Sequence, residues 1–417
     1  MTLGAANTEA LRRLSEAQPV LVDCVPAADA LGLASPTVLH AGPPIAWDAM
    51  CGPLRGAVVG ALRYERWVAS EAAAVRMAAG GEARFEPCHH RGAVGPMTGL
   101  ITPTMPVFVV ENRAFGNRAA ATINEGLGRV LRFGANDDTV LARLAWLRDE
   151  AGPLLGRALR RAGGLDLRPI MAQALRMGDE MHQRNVAASS LFLRAILPSL
   201  VREADGPVLA RLVEFVAGND QFFLNLAMAA AKAATDPIVD VPGSTLVSAM
   251  ARNGTEFGIR VAGLGPRWFT APVNTPEGLF FPGFGPEDAN PDMGDSAIVE
   301  TIGLGGMAMA ASPAVARFVG AGGLAEALRV TEEMREITLG EHPHFRIPTQ
   351  DDRGAPVGID VRRVVATGIT PLINTGIAGR EVGTGQVGAG VVRAPLGCFT
   401  TALEALAAAR GVAVAAP

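Results

Sequence analysis

Six histidines are spread over 417 residues, and two stand side by side in Cys88-His89-His90-Arg91-Gly92. An imidazole titrates near neutral pH, so histidine beside arginine in a glycine-rich turn suits acid/base work or the holding of an anion. Adjacent residues on an extended backbone point to opposite sides. A metal site built on this pair would therefore need further ligands, such as His182, Glu111 or Asp179. A second group is Asp179-Glu180-Met181-His182-Gln183-Arg184-Asn185. At helical spacing Asp179, His182 and Asn185 share one stripe, where the carboxylate would orient the imidazole and raise its basicity. The alternative is a helix end whose polar groups cap the next helix. A third group comes after Gly218, where Asn219 or Asp220 suits an N-cap. Beyond it, Gln221, Asn225 and Lys232 mark a polar line on an otherwise apolar helix. Such a line either ties the helix to its neighbours or lines a wet pocket.

Gly383-Thr384-Gly385-Gln386-Val387-Gly388 fits the Gly-x-Gly-x-x-Gly dinucleotide pattern, but its context does not. In that fold the first glycine closes a strand and the motif opens a long helix. Here Arg380-Glu381 precede the motif, and Pro395 would interrupt any helix after it. The remaining possibility is a glycine-dense turn from Gly376 to Gly390, including Gly383, Gly385 and Gly388. Its backbone N–H groups either cradle an anion or let backbones cross closely. Asp288, Asn290 and Asp292 match the first three spacings of a calcium loop, but Gly294 and Glu300 each come one residue late. No nucleophile elbow, phosphate-binding lysine loop or His-Glu-x-x-His pair is present.

These residues need a scaffold, and composition supplies one. Hydrophobic residues make up 49% and charged residues 19%, which describes a globular chain with ample core. A net charge of −4 and a single tyrosine argue against nucleic-acid binding. Cys24, Cys51, Cys88 and Cys398 are scattered singly, as reduced thiols are. With neither a signal peptide nor a membrane span legible, the expectation is a cytoplasmic protein.

The pattern along the chain predicts an α+β fold: two mixed α/β portions, 1–117 and 236–417, flank an all-helical portion, 118–235. Helical periodicity falls near 119–132, 138–161, 169–182, 186–201, 206–217 and 219–234. In the last portion, Asn253-Gly254 between β-like runs predicts a hairpin. Residues 265–296 read as a long ordered loop of functional character. A helix is expected over 323–339 with Gly340 as its stop, then His342-Pro343-His344 in an exit loop, and a buried strand over 364–373.

Several stretches together resemble one family: CHHRGAVGPMTGL, ENRAFGN, NEGLGRVLRFGAN, GDEMHQRN, GNDQFFLNLAMAAAKA, MARNGTEFGIRV, PVNTPEGLFFPGFGPEDANPDMGDSAI and NTGIAGREVGTGQVGAG. The pattern is similar to the YlbE/YahG family and runs from about residue 15 to 407. A third histidine often succeeds the pair in that family, and Arg91 takes its place here. The resemblance implies two α+β portions with an inserted helical domain. It also implies a subunit of a carbamoyl-transferring enzyme, working with FdrA-like (AllF) and AllH-like subunits in an oligomeric complex. The implied reaction is phosphate attack on oxalurate, giving oxamate and carbamoyl phosphate. Such chemistry asks for a proton donor, which His89, His90 or His182 would supply, with Glu111 or Asp179 as orienter. Arg91, Arg184 and Arg260 would clamp anions. Asn112, Asn185, Asn219, Asn253 and Asn374 would contact substrate, with Asn112, Asn185, Asn219 and Asn253 donating to its carbonyl oxygen; Gly376, Gly383, Gly385 and Gly388 would hold phosphate. No cofactor is expected. The rival readings are a non-catalytic scaffold, whose partner carries the chemistry, and an amidohydrolase using a divalent metal.

Overall fold

The computed structural model describes residues 2–320 and 322–411. The fold is α+β, and its sheets are small and mostly antiparallel. In the first sheet the order is Arg118–Thr122, Pro106–Asn112, Pro19–Pro26, Leu165–Asp166, with Cys24 opposite Phe108 and a bulge between Leu21 and Asp23. A second sheet runs Met293–Gly294, Val247–Asn253, Glu256–Val261, Phe269–Pro272. Gln386–Arg393 is the middle strand of a third, between Glu277–Phe280 and Leu372–Ala378.

Helix Leu224–Thr235 runs through the interior, with all of its residues buried. Its run of alanines explains this: small side chains let neighbouring backbones approach from every side. It packs on Pro106–Asn112 and Arg118–Thr122 and against the short helix Ile298–Thr301. Its few polar side chains must be satisfied inside the protein. Asn225 donates to Thr122 O at 2.7 Å, and Lys232 pairs with Asp236. Among the described residues no helix is long and apolar enough to cross a membrane.

Several expected elements differ. The stretch expected to be helical from 118 opens instead with the strand Arg118–Thr122, and the helices begin at Asp138. Alanine at 119–121 favours a helix by propensity, but pairing with Pro106–Asn112 buries all three, and tertiary context overrides propensity. The helix expected over 138–161 widens to a π-turn at Leu147–Ala151. Pro153 comes two residues after; it lacks an N–H and would clash with the preceding turn of a regular helix. The helix expected to reach 182 stops at Arg176, because Gly178 adopts φ 93°. Asp360 caps a helix over Val361–Thr367 where a strand was expected, and the strand begins at Leu372. The helix at 324–336 gives way to the strand Thr338–Ile347, so Gly340 and the His342-Pro343-His344 run lie within a strand. The 265–296 segment is not structureless: Phe269–Pro272, Glu277–Phe280 and Met293–Gly294 each add an edge strand to a sheet.

The Asn253-Gly254 hairpin forms, with Gly254 at φ 86° and Asn253 Oδ1 accepting from Thr255 N at 3.0 Å and Glu256 N at 2.7 Å. The glycine-dense stretch is likewise a hairpin and not a strand-to-helix turn. Gly383 and Gly385 take positive φ in its turn, while Gly376 and Gly388 lie in its strands. A Cβ at Gly388 would stand 2.4 Å from Leu279 O, so close approach of the edge strand is what requires glycine there.

Candidate active site

The loop after helix Leu167–Arg176 is wound around one buried carboxylate. Glu180 accepts from the backbone N–H groups of Gln183 at 2.6 Å, Arg184 at 2.7 Å and His182 at 3.1 Å. Asn374 Nδ2 is a fourth donor, at 3.0 Å. These bonds fix the loop and present His182, whose Nδ1 lies 2.7 Å from Glu300 Oε1. Glu300 sits on Ile298–Thr301, and its Oε1 also accepts from Gly306 N at 3.0 Å. Glu180, His182, Glu300 and Asn374 are all buried. Burial pushes the Glu180 carboxyl up to about 7, against the pull of His182 and the donated hydrogen bonds. With Glu300 accepting from Nδ1–H, the imidazole is held in the tautomer that leaves Nε2 to take or give a proton. Glu300 Oε2 and Asn374 Oδ1 have no protein partner.

A second buried network adjoins the first. Thr375, next to Asn374, donates to Asp292 Oδ1 at 2.8 Å. Arg252, fully buried, grips Asp292 with Nε at 2.6 Å and Nη2 at 3.1 Å, and donates to Gly294 O at 2.8 Å. A buried charge pair persists only with such complete hydrogen bonding. One turn before Glu300, Asp295 accepts from Gly42 N at 2.8 Å and Gly95 N at 3.0 Å, and burial pushes it up to about 7. His89 Nε2 stands 3.7 Å from Asp295 Oδ1, beyond a hydrogen bond. Burial holds His89 well below its ordinary value, so it is a neutral ring. Burial likewise raises the Cys88 thiol, which is no nucleophile.

The helix expected from 219 begins only at Leu224, so the polar line starts in the preceding turn, at Gln221, and faces a third group. Arg132 donates to Gln221 Oε1 at 2.9 Å and to Gly126 O at 2.7 Å, and Asn124 donates to Asn225 Oδ1 at 2.8 Å. A cavity of about 710 Å³ opens beside it, walled by Glu125, Arg143, Trp146, Arg211 and Asn219. Gln221 Nε2 reaches Gln183 O at 3.4 Å, which ties this polar group to the His182 loop.

The structure thus brings His182, Asn185 and Asn374 together. Asn185 donates to His182 O at 3.2 Å, and its Oδ1 has no partner. His89, His90 and Arg260 gather around Trp268. Asn219 lies on the cavity wall, donating to Asn124 O at 2.9 Å.

Other expected residues stand elsewhere. Glu111 does not orient a histidine; it pairs with Arg118 across two strands at 2.8 Å. Asp179 accepts from Arg184 Nε at 3.0 Å and caps the next helix at Ala188 N, 2.9 Å away. The i, i+3 stripe fails because no helix runs through it. Arg91 pairs with Glu86 on the surface. Asn112 accepts from Gln18 N at 3.0 Å and Ala114 N at 3.2 Å and donates to Ala233 O at 2.9 Å, which leaves nothing for a substrate. Asn253 shapes its own turn and donates to Pro43 O at 3.1 Å. Gly376, Gly383, Gly385 and Gly388 belong to the hairpin described above. Among the described residues no three histidine, cysteine, aspartate or glutamate side chains converge as metal ligands do.

Sequence reasoning assigned no role to Glu180, Glu300, Asp292, Asp295, Arg252 or Trp268. The usable signal was acidic residues in glycine-rich loops bordered by apolar runs, as in Pro291–Ile298. A carboxylate predicted to be buried needs nearby backbone N–H donors, and such loops supply them.

Known proteins share both the sequence and the fold. Residues 83–296 match the family described as oxamate carbamoyltransferase subunit AllG. The chain is 53% identical over 415 residues to the oxamate carbamoyltransferase subunit AllG of Escherichia coli K12, covering 99% of each chain. It is 45% identical over 403 residues to the uncharacterized protein YahG of the same strain, covering 96% of this chain and 85% of that one. A crystal structure of a conserved protein of unknown function from Enterococcus faecalis V583 superposes with a TM-score of 0.95 at 46% identity, covering 97% of this chain and 98% of that one.

Proposed function

The chain belongs to the oxamate carbamoyltransferase subunit AllG family, and we propose that it is a subunit of an enzyme that cleaves oxalurate with phosphate. FdrA-like (AllF) and AllH-like chains would complete the complex. The observation that carries the reading is the buried His182–Glu300 pair, set against Glu180 and Asn374.

In this reaction a phosphate oxygen forms a bond to the carbamoyl carbon. The bond from that carbon to the oxamate nitrogen breaks, and its electron pair stays on the nitrogen. His182 Nε2 supplies the proton that nitrogen takes and recovers one from the phosphate hydroxyl, so the sum is oxamate plus carbamoyl phosphate. Glu300 holds the ring in place and stabilises its charged form. Glu180 fixes the loop that carries His182 through the three backbone N–H groups it accepts.

A second reading draws on one observation: only 3% of the His182 side chain is exposed. A sealed imidazole is what a scaffold subunit would show, with the chemistry residing on its partner. One experiment separates the two. Phosphate-dependent formation of carbamoyl phosphate from oxalurate is measured with the partner subunits, using the native chain and His182→Gln. Loss of about 10²–10⁴-fold in rate is expected of a general acid; an unchanged rate in the folded variant leaves only the scaffold.

A further inference from the structure

Arg260 lies in the strand Glu256–Val261 with 6% of its surface exposed. No carboxylate among the described residues pairs with it, and its Nε has no hydrogen-bond partner. The other buried cations nearby are taken: Lys232 by Asp236 and Arg252 by Asp292. What Arg260 does touch is Trp268, its guanidinium carbon lying 4.8 Å from the centre of the indole. That stack leaves the in-plane N–H groups of the guanidinium without a protein acceptor.

Two more unpartnered groups stand by. Opposite Arg260 the neighbouring strand bulges: Ala249 pairs with Arg260 and Val247 with Val261, so Ser248 is the extra residue. Its hydroxyl is buried and has no partner. Bulges bend a strand and re-aim its side chains, often beside a site. The second group is His89, whose ring meets the same indole edge-on at 5.5 Å and whose two nitrogens are both buried without hydrogen-bond partners, Nε2 standing 3.7 Å from Asp295 Oδ1. The Trp268 N–H itself is spent on His90 Nε2, at 3.0 Å, which fixes the indole as a cover.

Arginine, serine and a neutral imidazole each offer N–H or O–H. Buried donors are seldom left without acceptors, and a group with several acceptor oxygens and a negative charge would satisfy all three. We infer that Arg260, Ser248 and His89 form a binding site for a small oxyanion, a carboxylate or a phosphate, beneath the Trp268 indole and apart from the His182 pair. The site rests on these contacts; only the choice of probes rests on the proposed carbamoyl transfer.

The test uses the full chain and two probes, oxamate and inorganic phosphate. Binding is followed by calorimetry and by tryptophan fluorescence, with Trp268→Phe identifying which of the four tryptophans reports. Native chain should bind at least one probe, Arg260→Gln should weaken it at least tenfold, and Ser248→Ala severalfold. A response to oxamate alone assigns the site to a substrate carboxylate, and one to phosphate alone assigns it to the co-substrate. Binding of neither probe, or equal binding by Arg260→Gln, overturns the inference. If Arg260→Gln fails to fold, Ser248→Ala and Trp268→Phe decide: native binding in the first with an unaltered fluorescence response in the second overturns it equally. Arg260-dependent binding without any carbamoyl transfer would keep this site and remove the proposed reaction. Full transfer by folded Arg260→Gln together with native binding of both probes would do the reverse.

Discussion

Three glycines with positive φ separate backbone strain, packing and chemistry near the His182 pair. Gly305 has φ 58°, and a Cβ there would stand 2.1 Å from Glu300 Oε1 and 3.2 Å from the Cβ of His182. Alanine in a left-handed conformation costs about 1–2 kcal/mol. The carboxylate must also retreat by more than about 1.3 Å to reach ordinary contact, which breaks or bends its bond to His182 and costs about 1.5–3 kcal/mol. Gly305→Ala should therefore lose about 3–5 kcal/mol of stability and, through misplacement of the imidazole, roughly 10²-fold in rate. Gly303→Ala has the same sign of φ, 87°, but its Cβ would meet Pro356 O at 2.8 Å, away from His182. It should lose about 2–3 kcal/mol and keep its rate per folded molecule. Gly368→Ala, at φ 72° with open space around its Cβ, should lose only about 1 kcal/mol. Urea denaturation gives the stabilities, and carbamoyl phosphate formation with the partner subunits gives the rates. If Gly305→Ala matches Gly368→Ala in both, Glu300 does not position a working histidine.

The buried carboxyls set a pH dependence. Burial raises Glu180 and Asp295 to about 7 from 4.5 and 3.8, so the folded chain holds these protons more tightly than the unfolded one. Their stabilising contribution is full below about pH 4 and is lost as pH rises toward about 7, by about 3–4 kcal/mol each. Other groups add their own slopes, so the check is the difference between native and Asp295→Ala denaturation midpoints from pH 5 to 8, which should narrow as pH rises. Asp292→Ala leaves Arg252 charged and unpaired in the interior and should cost about 3–5 kcal/mol, measured by the same denaturation. Asn112→Ala breaks three hydrogen bonds, one of them fully buried, and should cost about 2–4 kcal/mol without changing the rate per folded molecule. A rate loss there would return Asn112 to the substrate.

Legibility in the sequence tracked the range of the interaction. The Asn253-Gly254 turn and the helices at 186–200 and 206–217 rest on neighbours a few residues apart, and their positions could be read. His182 could be chosen by residue type, but its partner Glu300 is 118 residues away. Asp179 was the natural orienter only if the helix continued, and Gly178 ends it. The glycines between 376 and 390 show the same limit. Density alone cannot say whether their backbone groups are free for an anion or already paired, and the strand Glu277–Phe280 takes those of Gly388.

The polar line Gln221, Asn225 and Lys232 carried more information than any motif, because it posed a question with few answers. A helix that is apolar nearly all round is buried, and a lysine on it must meet an acid. The structure supplies Asp236 and places Asp295 and His89 within range of the same charge. The turn before helix Leu224–Thr235 and the helix itself thereby connect the cavity wall at Asn219, the His182 loop through Gln221 and Gln183, and the surroundings of His89 through Lys232. A partner that docks on the cavity side and moves Gln221 would pull on the His182 loop through a hydrogen bond to its backbone. Gln221→Ala tests that coupling. Removing the 3.4 Å contact to Gln183 O should leave the rate of a self-sufficient site unchanged. A site opened only on assembly should instead lose rate in the complex, whereas the free chain loses stability in either case because Arg132 gives up its acceptor.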